Sequence, residues 1–106
     1  MQSFDGTVPA GTAVLEFGAP HCAPCRALAP IVEELAGEYV GRVQFAHVDC
    51  DADPTSAARF DVRATPTVVL LREGREVGRV IGLRKRAFLQ GMLDRALRGD
   101  VAIAGP

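Results

Sequence analysis

The sequence predicts an α/β fold: a central mixed sheet of about four strands, flanked by helices and short at its N-terminal side. Segments of strand character alternate with segments of helical periodicity in the order β-α-β-α-β-β-α. The first two strands are joined through a helix, which makes them a parallel crossover pair, and the last two by a tight turn, which makes them a hairpin. The length of 106 residues suits a single domain over residues 1–106 with one core.

Each element has its own local reason. Residues 1–12 read as a short N-terminal segment in which 3–8 form a turn of helix at most. Val14-Leu15-Glu16-Phe17 is an apolar run broken by one carboxylate and bounded by Gly11 and Gly18, a buried strand. From Cys22 to about Tyr39, Leu28, Ile31, Val32 and Leu35 recur at helical spacing with Glu33, Glu34 and Glu38 on the other face. Pro30 lies inside this helix and should kink it. Arg42 to Asp49 suits a strand covered on both faces, and with so little chain before Val14 it should lie at the sheet edge, open to self-association. Asp53 and Pro54 are the N-cap and first residue of a short helix through Phe60. Thr67 to Leu71 and Glu76 to Ile81 are strands joined by a turn at Arg72-Glu73-Gly74-Arg75. A last helix runs from about Arg84 to Leu97, and residues 99–106 are expected to fray.

Composition excludes several classes of function. The net charge of −1 gives no reason to expect nucleic acid or an acidic membrane as partner. No apolar run approaches the ~18–20 residues that cross a bilayer. The opening MQSFDGTVPAG has neither a cationic nor an apolar stretch of secretory type, so a cytoplasmic location is expected. Three cysteines in such a chain are expected to be catalytic, metal-binding or buried rather than a structural disulfide framework.

The chemistry is concentrated in APHCAPCRALAP, residues 19–30. Cys22 and Cys25 stand where a strand gives way to a helix, three residues apart, so their sulfurs can close a short disulfide. Free N–H groups and the positive end of the helix dipole favour the Cys22 thiolate there. Pro24 suits the first turn, where its missing N–H goes unused. One nucleophilic thiol beside a partner that can expel it is what a reversible dithiol couple requires. Half of a metal site and a pair of small apolar residues remain the other readings of the pair alone.

Cys22-Ala23-Pro24-Cys25, the kinking Pro30, the Thr65-Pro66-Thr67 stretch before a strand, and Gly74 and Gly82 together resemble the thioredoxin family from about Val14 to Leu97. The resemblance implies the thioredoxin-like fold with a cis peptide bond at Pro66. It implies that Cys22 attacks a substrate disulfide, that Cys25 resolves the mixed disulfide, and that the backbone of Thr65 pairs with an extended substrate segment beside Ala23, Pro24 and His21. The family carries a buried acid where Glu16 stands, so Glu16 is expected to be desolvated, raised in pKa and able to take the Cys25 proton; the bland reading is a rim carboxylate reaching water. His47 aligns with a family lysine near that acid, which suggests a Glu16–His47 pair as a proton relay. The implied partners are disulfide-containing proteins and an NADPH-dependent flavoprotein reductase. No cofactor and no metal are implied, and the chain is expected to act as a monomer.

The chain departs from the family in lacking tryptophan: His21 and Gly18 stand where two are usual. A protonated His21 would stabilise the Cys22 thiolate and make the couple more oxidising; an exposed, uninvolved His21 is the plain alternative. An oxidant, an isomerase or a reductase dedicated to one partner on the same fold is therefore the first rival function, with Thr65 before Pro66 keeping it open. A metal site using His21, His47 or Cys50 lacks the usual second ligand pair, and a redox-silent binding module would have no use for both cysteines. Cys50 is read as a small buried hydrophobe, with a second redox handle or an intermolecular disulfide as the alternatives.

Overall fold

The computed structural model describes residues 1–99. Its elements are β1 (Gln2–Ser3), β2 (Thr12–Gly18), α1 (Ala23–Glu38), β3 (Gln44–Asp49), α2 (Pro54–Arg59), β4 (Thr67–Arg72), β5 (Arg75–Ile81) and α3 (Arg86–Leu97). They build one five-stranded mixed sheet in the order β1-β3-β2-β4-β5. β2 runs parallel to β3 and antiparallel to β4, and β4 antiparallel to β5. The expected fraying of 99–106 concerns residues that, beyond Gly99, lie outside the described ones.

The sequence-based count of about four strands is one too few, and β3 is not a bare edge. β1 pairs with it in parallel, Gln2 opposite Ala46 and Ser3 opposite His47. The turn of helix expected over 3–8 does not form. Instead the Phe4 N–H donates to the His47 carbonyl at 2.8 Å, and the Phe4 ring meets Phe60 edge-on, with centroids 6.1 Å apart. Two residues are too few to show a period in the sequence, and the aromatic partner is 56 positions away. The last helix starts two residues later than expected, because Lys85 is extended (φ −69°, ψ 151°).

Alternation along the strands divides the core in two. Val14, Val68, Leu70 and Val80 face α1 and α3, where they meet Leu28, Val32, Leu35, Leu89, Met92 and Leu93. Ala13, Leu15, Phe17, Val48, Val69 and Leu71 face the other way, against Phe4, Val8, Phe60 and Val62. The N-terminal segment therefore covers a face that would otherwise stand open. Pro30 lies inside α1. In the β4–β5 hairpin Glu73 and Gly74 both take positive φ, 50° and 77°, the backbone that a two-residue turn between twisted strands requires. The C-terminal ends of β2 and β3, the start of β4 and the end of β5 all lie at one end of the sheet. That end carries the chemistry.

Candidate active site

β2 delivers the chain to the loop 19–21, and Cys22 follows as the N-cap of α1. A capping residue accepts from the orphan N–H groups of the first turn, a task usually done by oxygen. Here the acceptor is sulfur: the Cys25 N–H donates to Cys22 Sγ at 3.2 Å. Cys22 and Cys25 form a disulfide across Cα atoms 5.2 Å apart. The two sulfurs differ in access, since Cys22 is half-buried and Cys25 is only 5% exposed. Ala23 and Pro24 between them are exposed. Arg26 holds the loop from behind by donating to the Pro20 carbonyl at 3.0 Å.

The Thr65–Pro66 peptide bond is cis. Pro66 is buried, and its carbonyl accepts from the Gly82 N–H at 2.8 Å, which ties the loop to the end of β5. Thr65 faces the sulfur of Cys22 twice. Its carbonyl oxygen lies 3.7 Å from Sγ, and its hydroxyl donates to Sγ at 3.6 Å. Together with the Cys25 N–H, two donors thus point at Cys22 Sγ.

Glu16 and His47 are register partners on adjacent parallel strands, so their side chains share one face of the sheet, that of α1. Glu16 is 2% exposed, which removes the rim reading. Its Oε1 lies 2.5 Å from His47 Nδ1, and the His47 side chain is 38% exposed. Two residues on, Gly18 leaves a gap where these groups meet Cys25. A Cβ on Gly18 would lie 3.2 Å from Glu16 Oε2, 3.4 Å from His47 Cε1 and 3.6 Å from Cys25 Cβ. A cleft of about 380 Å³ opens there, walled by Glu16, Gly18, Cys25, Arg26 and His47 among others.

The structure thus brings Cys22, Cys25, Thr65 and Pro66 together, with Cys22 and Thr65 partly exposed, Cys25 and Pro66 buried, and Glu16 and His47 on the neighbouring strands. His21 is exposed and makes no hydrogen bond or ion pair among the described residues. Cys50 sits at the end of β3, partly buried against Phe17 and its neighbours, and its N–H donates to the Gly18 carbonyl. Burial first, then the carboxylates of Asp49 and Asp51, push its thiol pKa up. Sequence reasoning missed the meeting point at Gly18. The available signal was a glycine closing an otherwise apolar strand, which marks a close approach of neighbouring groups.

The comparisons agree with this geometry. The family model described as Thioredoxin matches residues 1–95. A thioredoxin of Staphylococcus haemolyticus is 36% identical over 95 residues, covering 90% of this chain and 91% of that protein. Thioredoxins of Staphylococcus epidermidis and Staphylococcus aureus are 35% identical over 94 residues, covering 89% of this chain and 90% of theirs. The chain belongs to the thioredoxin family of thiol–disulfide oxidoreductases.

Proposed function

We propose that this chain works as a reductase of protein disulfides and that its residues divide the reaction as follows. The Cys22 thiolate, stabilised by the Cys25 N–H and the Thr65 hydroxyl, attacks one sulfur of the substrate disulfide. A Cys22–substrate disulfide forms, and the other substrate sulfur leaves as a thiolate that takes a proton from water. Glu16 accepts the Cys25 proton, and His47 holds that proton with it across their short contact. The Cys25 thiolate then attacks Cys22 Sγ. The second substrate sulfur leaves, and the Cys22–Cys25 disulfide remains. Two electrons have passed to the substrate.

Pro66 and the Thr65 backbone present an edge on which an extended segment can pair, with Ala23, Pro24 and His21 beside it. An NADPH-dependent flavoprotein reductase, or a low-molecular-weight thiol, returns the two electrons. Turnover of this kind belongs in a reducing compartment, so we place the protein in the cytoplasm, as a monomer. The observation that carries the reading is the asymmetry of the pair: one sulfur half-exposed as a helix cap, the other buried beside a buried carboxyl group.

The Thr65 hydroxyl favours a second reading. A donor aimed at Cys22 Sγ stabilises the reduced form, which would turn the couple toward an oxidant or isomerase. The roles of the two thiols are tested with an aromatic disulfide that releases a coloured thiolate, in a Cys50→Ala background. The reduced protein should release two equivalents. Cys25→Ser should release one and retain the other half as a mixed disulfide on Cys22. Faster release by a Cys22→Ser variant, with the mixed disulfide retained on Cys25, would reverse the assignment.

A further inference from the structure

Beyond Gly82 the chain reads Leu83-Arg84-Lys85-Arg86-Ala87-Phe88, three consecutive cations between two large apolar residues. The segment adjoins the reactive pair, because Gly82 is bonded to Pro66 and Ile81 pairs with Thr67 at the start of β4. Ile81, Leu83 and Phe88 are 44%, 47% and 44% exposed. The cations are not equivalent. Arg86 is committed to α1: its guanidinium pairs with Glu34 and Glu38 and donates to Gln90.

Arg84 and Lys85 have no acidic partner among the described residues. The Arg84 guanidinium lies 5.3 Å from the centre of the Phe88 ring, and its buried Nε has no hydrogen-bond acceptor. Lys85 is exposed and makes no side-chain cap for α3, and the first turn of α3 carries no acidic residue to neutralise either cation.

The other side of the site carries an acidic run, with Arg26 on the cleft wall that Asp49 also lines. The β3 end carries Asp49, Asp51 and Asp53, none of them in an ion pair among the described residues. Asp49 accepts the backbone N–H groups of Asp51 and Ala52, and Asp53 accepts from Ser56. Since the sheet order is β3-β2-β4-β5, the loop that follows β2 and leads to Cys22 leaves the sheet between the acidic end of β3 and the basic shelf after β5. The near-zero net charge conceals this polarity.

We propose that Leu83, Arg84, Lys85 and Phe88 form a docking shelf for an acidic, partly apolar stretch of the disulfide-bearing partner protein. The inference rests on the redox reading above and adds the charge and the orientation of the partner. The cations bind the acidic stretch on the β5 side, while the aspartates repel it from the β3 side. A partner of this kind is oriented before its disulfide reaches Cys22.

The test uses the pre-reduced protein and three peptides that share one intramolecular disulfide. One carries three glutamates before the disulfide, one carries them after it, and one carries lysines at the better of those two places. Initial reduction rates are read at low and high salt, alongside hydroxyethyl disulfide, which is neutral. At low salt one placement of glutamate should be reduced about three- to tenfold faster than its lysine counterpart, and high salt should erase the difference. Arg84→Glu/Lys85→Glu should abolish or reverse the preference and leave the rate on the neutral disulfide unchanged. Lys85→Glu alone, at an exposed position, should remove about half of it on a logarithmic scale. Equal rates for all three peptides, or a preference that survives both variants, would overturn the shelf. No reduction of the neutral disulfide by the unaltered protein would instead remove the redox reading on which it stands.

Discussion

Replacing Glu16 by leucine should make the protein more stable and less able to turn over. Glu16 is 2% exposed, in the middle of a strand whose neighbours are apolar. Taking a carboxylate out of water costs several kcal/mol, and what is recovered here is one contact to His47 at 2.5 Å. Removing one member of a buried pair is ordinarily costly because the other charge is stranded. His47 escapes that penalty, since its side chain is 38% exposed and reaches water. Leucine also matches the surrounding volume, with Val14 and Val68 on the same face of the sheet. The gain should be about 1–2 kcal/mol, which for a chain of this size raises the melting temperature by roughly 4–10 °C. Urea and thermal unfolding of the oxidised protein at pH 7 measure it. In the same variant the release of substrate by Cys25 should slow by about 10- to 100-fold, the usual contribution of a positioned base. A loss of 1 kcal/mol or more on unfolding would refute the reasoning, because it would mean that the Glu16–His47 contact repays its own burial.

Three further outcomes follow from the same structure. Tyr39, 2% exposed, donates to Asp94 at 2.6 Å, and burial followed by that carboxylate pushes its pKa up to about 12. Between pH 10 and 12 the folded state therefore holds a proton that the unfolded state has lost, so stability falls as pH rises through this window, by about 2–3 kcal/mol. The difference between the unaltered protein and Tyr39→Phe, measured by urea unfolding, should shrink by that amount. On reduction, Cys50 should alkylate at pH 7–8 at least tenfold more slowly than Cys22, read by mass, since burial and flanking carboxylates disfavour its thiolate. Gly18→Ala should change stability by less than about 1 kcal/mol, because the nearest atom, Glu16 Oε2, is the end of a flexible side chain. It should nonetheless move the His47 ring resonances seen by NMR, as the new methyl displaces the Glu16 carboxyl group.

What the sequence made legible depended on range. β2, α1, β4, β5 and α3 carry their periodicity and their breakers locally, and all appear within two residues of the expected bounds, with Cys22 capping α1 rather than opening it. Cys22, Cys25, Thr65 and Pro66 could be placed together only through the family resemblance; in the structure they meet because β4 runs antiparallel to β2, so the end of β2 and the start of β4 share one end of the sheet. The pairing of Glu16 with His47 rests on strand register, which a single sequence states only weakly: a slip of one residue would have sent one of them to the other face. β1 was not legible at all. It is held by two residues of ladder and by the Phe4–Phe60 contact, neither of which leaves a local pattern. The polarity of the rim was invisible for a related reason, since Asp49–Asp53 and Arg84–Lys85 become neighbours of one site only through the order β3-β2-β4-β5. In the composition they cancel.

The central claim is that Cys22 and Cys25 are a reversible couple poised for reduction of other disulfides. Equilibrating the protein in graded dithiol/disulfide buffers, trapping with an alkylating agent and counting modified thiols by mass measures it directly. The account predicts a single two-electron transition of Cys22 and Cys25 together, near the ~−270 mV of a thioredoxin, with Cys50 taking no part. A midpoint between about −180 and −120 mV, or the lack of any joint transition, would contradict it.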